Sequence, residues 1–188
     1  LFPSGIGLLF GLKDCEGKSL SDFSINDFIV KENDKILSRF EASQNLLPRK
    51  LGYSLKTILL LDMSGSVTRS GNLAVLQDAV RQFMTQVADE QMIGIYAFDG
   101  SPDLFKIQDF THSKIELNAA VDSLLDFKTQ DPSTNLNGAI QKGLFTLDES
   151  LAKTQAPVRE GNMVIFTDGT DQASWIYREN RKTPPLMA

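Results

Sequence analysis

The spacing of apolar residues changes near residue 55. Before it, short apolar runs are separated by turns; after it, continuous apolar runs alternate with segments in which apolar residues recur every three or four positions. Continuous runs are typical of strands buried on both faces, and the wider spacing is typical of amphipathic helices. The predicted strands are 57–61, 92–98, 104–110 (alternating, as in an edge strand) and 163–166, and the predicted helices are 73–88, 113–128 and 136–151.

This alternation predicts an α/β fold: a Rossmann-like, doubly wound and mostly parallel sheet covered on both faces. Residues 1–54 instead predict a small β-rich segment. It contains a strand in "SGIGLLFGLKD", a hairpin around the polar turn "ENDK", and a linker, "QNLLPRKLGYS". We therefore divide the chain into residues 1–54 and residues 55–188.

Composition narrows the possible functions. The 188 residues are 41% hydrophobic and 23% charged, as in ordinary globular proteins, and no apolar run is long enough to predict direct membrane insertion. The formal net charge is -5 and the basic residues are scattered, which argues against nucleic acid as the main partner. The single cysteine, Cys15, excludes an internal disulfide and a cysteine-rich zinc site.

Three loops combine small oxygen-bearing side chains with the ends of predicted elements. Asp62, Ser64 and Ser66 follow the strand 57–61 in "LLLDMSGSV", Thr134 precedes a helix in "PSTNLNGA", and Asp168 follows the last strand in "FTDGTD". Ligands of open α/β sheets bind at the carboxyl ends of the strands. Residues two apart in an extended loop point the same way, so the first loop can present three oxygens to one point.

Oxygens of this kind suit a hard divalent cation such as Mg²⁺. Neutral hydroxyl ligands would leave the charge of the cation available to an incoming carboxylate. A simpler interpretation is helix capping, which Asp, Ser and Thr favour and which Thr134 could provide for the helix after it. Capping needs one such residue, whereas the first loop has three. Asp99, Asp131 and Asp171 could either support the ligands from outside or be solvated loop acids, and they are interpreted as solvated loop acids.

The set "DMSGS", "PSTNLNGA" and "FTDGTD", in this order, resembles a von Willebrand factor type A (vWA) domain with a metal-ion-dependent adhesion site (MIDAS). The resemblance covers residues 56 to about 175. It implies that Mg²⁺, or Mn²⁺ or Ca²⁺ in its place, is bound by a ligand set from the three loops. Carried over position by position, the ligands are Asp62, Ser64, Ser66, Thr134 and Asp168.

The same resemblance implies a binding function. In this family the usual role of the metal is to bind a protein partner whose Asp or Glu completes the coordination. Residues 12–43 are also similar to the segment that precedes such domains in many bacterial exported proteins. This second resemblance implies an extracellular, cell-surface or periplasmic location.

Two other functions remain open. A metal-dependent hydrolase or phosphoryl-transfer enzyme can also present an aspartate after a buried strand, but it would have a second acidic residue where Ser64 stands. In a purely structural surface domain, the metal would only brace the loops. The pattern therefore favours a protein-binding module that is not an enzyme.

The chain departs from the vWA pattern after "FTDGTD". Further strands and helices normally follow, but "QASWIYRENRKTPPLMA" is long enough for about one helix. The expectation is that the last strands are missing, replaced or supplied from elsewhere. If they are missing, the last predicted strand becomes an exposed sheet edge, which favours self-association.

Overall fold

The structure is a computed structural model that describes residues 5–69, 71–87 and 90–169. It divides into two compact units. One comprises Leu1–Ser54 with Ala156–Val158, and the other comprises Leu55–Gln155 with Arg159–Ala188. None of the helices in the described ranges is long and apolar enough to cross a membrane.

The first unit contains the predicted hairpin in a very short form. Strand β1 (Lys31–Glu32) pairs antiparallel with β2 (Lys35–Ile36). Asn33 and Asp34 between them have positive φ angles of 48° and 64°, which a tight two-residue hairpin turn requires. A one-turn 3₁₀ helix, Ile25–Asp27, precedes the hairpin.

The strand predicted in "SGIGLLFGLKD" is wrong for residues 5–12, which have no regular structure. Lys13 forms one isolated antiparallel bridge with Ser19. The carboxylate of Asp14 accepts the main-chain N–H groups of Glu16 and Lys18, at 2.9 and 2.8 Å, and this closes the turn tightly. A strand needs a paired neighbour, and this turn provides a single bridge.

The described part of the first unit has no fully buried residue. Its aromatic side chains pack partly exposed, with the Phe10 and Phe28 rings 5.4 Å apart and the Phe23 and Phe28 rings 5.9 Å apart. The predicted linker contains one helical turn, α1 (Arg49–Gly52), which leads directly into β3 (Tyr53–Asp62). Strand β3 therefore begins earlier than the predicted strand 57–61.

The second unit is built on a four-stranded sheet with the order β5-β4-β3-β6. Strand β4 (Met92–Phe98) runs parallel to β3, and β5 (Leu104–Thr111) runs antiparallel to β4 at one edge. Strand β6 (Val158–Phe166) lies on the other side of β3. The helices are α2 (Gly65–Arg69), α3 (Leu73–Val87), α4 (Lys114–Ser123), which continues into a 3₁₀ turn, and α5 (Leu136–Ala152).

Strand β3 is buried on both faces. Leu59 and Leu61 belong to a core formed with residues of α3 and α4, whereas Ile58 and Leu60 belong to a second core formed with residues of α5. Alternate residues of a strand point to opposite faces, so the continuous apolar run supplies both cores. The predicted α/β class, with helices on both faces of a mixed and mostly parallel sheet, is confirmed.

The helical spacing of apolar residues in 113–128 and 136–151 predicts that Leu125 and Leu144 lie on the apolar faces of these helices, but both side chains are exposed. Leu144 is 54% exposed because Gly143, beside it, faces the sheet: a Cβ on Gly143 would stand 3.1 Å from Cδ1 of Leu60. Leu125 is 68% exposed because the chain leaves the α-helical path at Leu124. The expectation about missing last strands falls on residues 170–188, which lie outside the described residues.

Candidate metal centre

Asp62 is the last residue of β3 and is fully buried. One carboxylate oxygen accepts the main-chain N–H of Ser64 at 2.9 Å. The other accepts the hydroxyl of Thr167 at 2.7 Å, from the loop that carries Asp168. The side chain of Asp62 therefore joins the first predicted loop to the third.

Ser64 and Ser66 extend this connection toward the surface. Their Oγ atoms are 3.1 Å apart, and Oγ of Ser66 donates to a carboxylate oxygen of Asp168 at 2.9 Å. Ser64 is buried, whereas Ser66 and Asp168 are exposed. Oxygens of four of the five predicted residues are thus gathered at one place, buried on one side and open to solvent on the other.

Thr134 reaches the same region through the second loop. Its hydroxyl oxygen lies 3.7 Å from the point where a Cβ on Gly169 would stand, beside Asp168. Thr134 is buried, and it is not the residue that caps α5. That role belongs to Asn135, whose side-chain oxygen accepts the N–H of Gly138 at 3.1 Å.

A glycine allows the first and second loops to approach each other closely. The N–H of Gly65 donates to the carbonyl of Pro132 at 2.9 Å, and a Cβ on Gly65 would stand 2.9 Å from that of Pro132. Such a contact is too short for any other residue at position 65 unless the loops move apart. All three predicted loops therefore meet.

The donor set fits a hard divalent cation. With Mg²⁺–O distances of about 2.0–2.1 Å, neighbouring ligand oxygens of an octahedron are about 2.9 Å apart. The Ser64–Ser66 and Ser66–Asp168 oxygen separations, 3.1 and 2.9 Å, are close to this value. Across the described ranges, no cluster of three or more His, Cys, Asp or Glu side chains is placed to hold a metal, so this candidate depends on hydroxyls.

Sequence reasoning missed two residues of this region. Asp99, interpreted as a solvated acid, is fully buried at the end of β4, and Thr167 bonds Asp62. A signal for Asp99 existed: it follows the apolar run "MIGIYAF" as Asp62 follows "ILLL".

Asp131 is partly buried and accepts the N–H and hydroxyl of Ser133, at 2.9 and 2.7 Å. Asp171 lies outside the described residues.

A comparison with protein families agrees with this architecture. The profile of the von Willebrand factor type A domain matches residues 57–170, which is more than half of the chain. The chain therefore belongs to the von Willebrand factor type A domain family, as the sequence predicts, whereas the metal-ion-dependent adhesion site stays a prediction. No curated protein matches the chain.

Several solved structures are similar to it. The vWF domain of the type V pili tip protein Mfa5 from Porphyromonas gingivalis is 16% identical, with a TM-score of 0.47, over 63% of this chain and 38% of that one. The PilB minor pilin from Streptococcus sanguinis is 19% identical, with a TM-score of 0.47, over 62% of this chain and 30% of that one. The chain thus spans well under half the length of either protein.

Proposed function

We propose that this chain is a metal-dependent protein-binding module, with an adhesive or scaffolding role. A divalent cation, Mg²⁺ or in its place Mn²⁺ or Ca²⁺, is held by Asp62, Ser64, Ser66, Thr134 and Asp168. The observation that carries the proposal is the meeting of the three loops that bear these residues. The Ser64–Ser66 and Ser66–Asp168 oxygens are 3.1 and 2.9 Å apart, which suits a hydrogen bond and neighbouring octahedral ligands alike.

The burial of these residues supports a site that is open on one side. Asp62, Ser64 and Thr134 are enclosed, so the sheet and the neighbouring loops fix their positions. Ser66 and Asp168 are exposed, so a partner can approach from their side. The bound cation would supply an electrophilic position for a carboxylate oxygen. The three hydroxyl ligands are neutral, and Asp62 and Asp168, acting partly through water, would compensate its charge only in part.

The partner we propose is a protein that presents an Asp or Glu. The net charge of -5 and the scattered basic residues support a protein partner over nucleic acid. The resemblance of the N-terminal segment to bacterial exported proteins supports a location at the cell surface, in the periplasm or outside the cell.

The proposed partner chemistry can be tested with Mn²⁺-loaded protein and two peptides with blocked termini. One peptide has a single central Glu, and its control has Gln at that position. Water-proton relaxation reports the water molecules bound to Mn²⁺. We expect the Glu peptide to lower the relaxation enhancement, because its carboxylate displaces a coordinated water, and the Gln peptide to leave it unchanged.

A structural role for the metal predicts a different result. Asp62 already ties two loops together through Ser64 and Thr167, so a cation could simply brace these loops. Bound Mn²⁺ with the same relaxation enhancement in both peptides would contradict carboxylate recognition and favour this role. Phosphate-ester hydrolysis that is lost in Asp62→Asn would overturn the proposal that the module is not an enzyme.

A further inference from the structure

The carboxylate of Asp99 is buried and is bonded to main-chain N–H groups of two segments. One oxygen accepts the N–H of Ser101 at 2.8 Å, and the other accepts those of Gln130 and Asp131 at 2.7 and 3.2 Å. A carboxylate can satisfy several such donors because both of its oxygens are acceptors. Burying a charged group is costly unless it is hydrogen-bonded, so these bonds explain why Asp99 is tolerated there.

Main-chain contacts of the neighbouring residues reinforce this connection. The carbonyl of Asp99 accepts the N–H of Asn135 at 3.0 Å, and the N–H of Gly100 donates to the carbonyl of Asp131 at 3.1 Å. The side-chain amide of Asn135 also donates to the main-chain carbonyl of Ser101 at 3.0 Å. Residues 99–101 therefore hold the second loop on both sides of Thr134.

From these contacts we propose that Asp99 is a positioning residue for the metal centre. It acts through Thr134: by fixing residues 130, 131 and 135, it sets where the Thr134 hydroxyl stands relative to the other two loops. Both Asp99 oxygens are engaged by the main chain, so the side chain supports the centre rather than contributing a ligand. This inference rests on the proposed metal-binding function.

The test is the affinity for Mg²⁺, measured by calorimetry at a temperature at which every variant is folded. Asp99→Asn keeps the size of the side chain but replaces one acceptor oxygen by an amide that cannot accept from Gln130 and Asp131. Mutation of residues that hold metal ligands in position typically lowers the metal affinity about 10- to 100-fold, so we expect Asp99→Asn to lower the Mg²⁺ affinity by that factor.

A matched control separates positioning from general stability. Thr57 and Gln91 share a buried hydrogen bond of 2.6 Å in the middle of β3, about 16 Å along the strand from Asp62. Thr57→Val removes this bond and should lower the temperature of unfolding while leaving the Mg²⁺ affinity within about twofold. A structural role for Asp99 would make the two variants behave alike.

A second variant tests the same connection if Asp99→Asn does not fold. A Cβ on Gly100 would stand 2.0 Å from Oγ of Ser133 and 2.6 Å from Oδ1 of Asp131. Gly100→Ala should therefore displace the Ser133 hydroxyl and the Asp131 carboxylate, which are hydrogen-bonded to each other beside Thr134, and so weaken Mg²⁺ binding although Asp99 is retained. Affinity within twofold of wild type in the folded variants would overturn the inference. Wild-type protein that does not bind Mg²⁺ would overturn the proposed function itself, together with this inference.

Discussion

Asp62→Asn is expected to abolish the stabilisation of this protein by Mg²⁺. A ligand at about 100 times its dissociation constant stabilises a folded protein by about 2.7 kcal/mol. For a chain of this size, that corresponds to an increase in the unfolding temperature of roughly 5–10 °C. The wild type should show this increase and Asp62→Asn should not, because the substitution removes the buried negative charge that joins the first and third loops.

Asp148→Asn is the control for this experiment. It changes the net charge by the same amount at an exposed position of α5, about 18 Å along the helix from its first residue. The control should respond to Mg²⁺ as the wild type does. If Asp62→Asn proves too unstable, Ser66→Ala removes a proposed ligand at an exposed position. An unchanged Mg²⁺ response in folded Asp62→Asn or Ser66→Ala would contradict the ligand assignment.

Leu60→Ala is expected to lower the free energy of unfolding by about 2–5 kcal/mol, the usual cost of truncating a buried leucine. Leu60 is fully buried in β3, two residues before Asp62, and its side chain packs in the core that includes Ala139 and Leu147. Truncation leaves a cavity beneath α5, and the helix backbone near Gly143 already approaches Leu60 closely.

The free energies of unfolding of Leu60→Ala and of the control variant Leu144→Ala are compared by urea denaturation. Leu144 lies on α5 and is 54% exposed, so its truncation should change the stability by no more than about 1 kcal/mol. Equal losses for the two variants would contradict the assignment of the buried face of α5. They would also weaken the argument that a rigid β3 supports the metal centre.

The central elements could be predicted from the sequence because their burial is uniform. Strands β3 and β4 are buried on both faces and therefore appear as continuous apolar runs. Helix α3 follows the predicted helix 73–88 from Leu73 to Val87, the last residue described there, since its apolar residues recur at helical spacing. The order of these elements was sufficient to predict the α/β class.

Features that depend on contacts between distant parts of the chain were not predicted. The polar start of β6, "VREGN", gives no apolar signal, although the strand begins at Val158. Conversely, the apolar residues 5–12 do not form a strand, because an apolar pattern does not specify a hydrogen-bonded neighbour. Leu144 is exposed because of the close packing of its neighbour Gly143, which periodicity does not reveal.

The candidate site likewise has a part that the sequence predicts and a part that it does not. Its five proposed ligands were predicted from local motifs, and the structure brings their loops together. The supporting contacts could not be read from such motifs: Thr167 bonds Asp62 across 105 residues, and Asp99 bonds the main chain of Gln130 across 31. Every residue except proline has a main-chain N–H, so the sequence does not indicate which residues donate to Asp99.

The claim that the three loops form one metal centre is tested most directly by anomalous diffraction from crystals grown with Mn²⁺. We predict one strong anomalous peak within coordination distance, about 2–2.3 Å, of the Ser64 and Ser66 hydroxyl oxygens. Thr134 should lie beside the same peak, directly or through one water. Crystals without a peak there, or with the peak at a different part of the chain, would contradict the account.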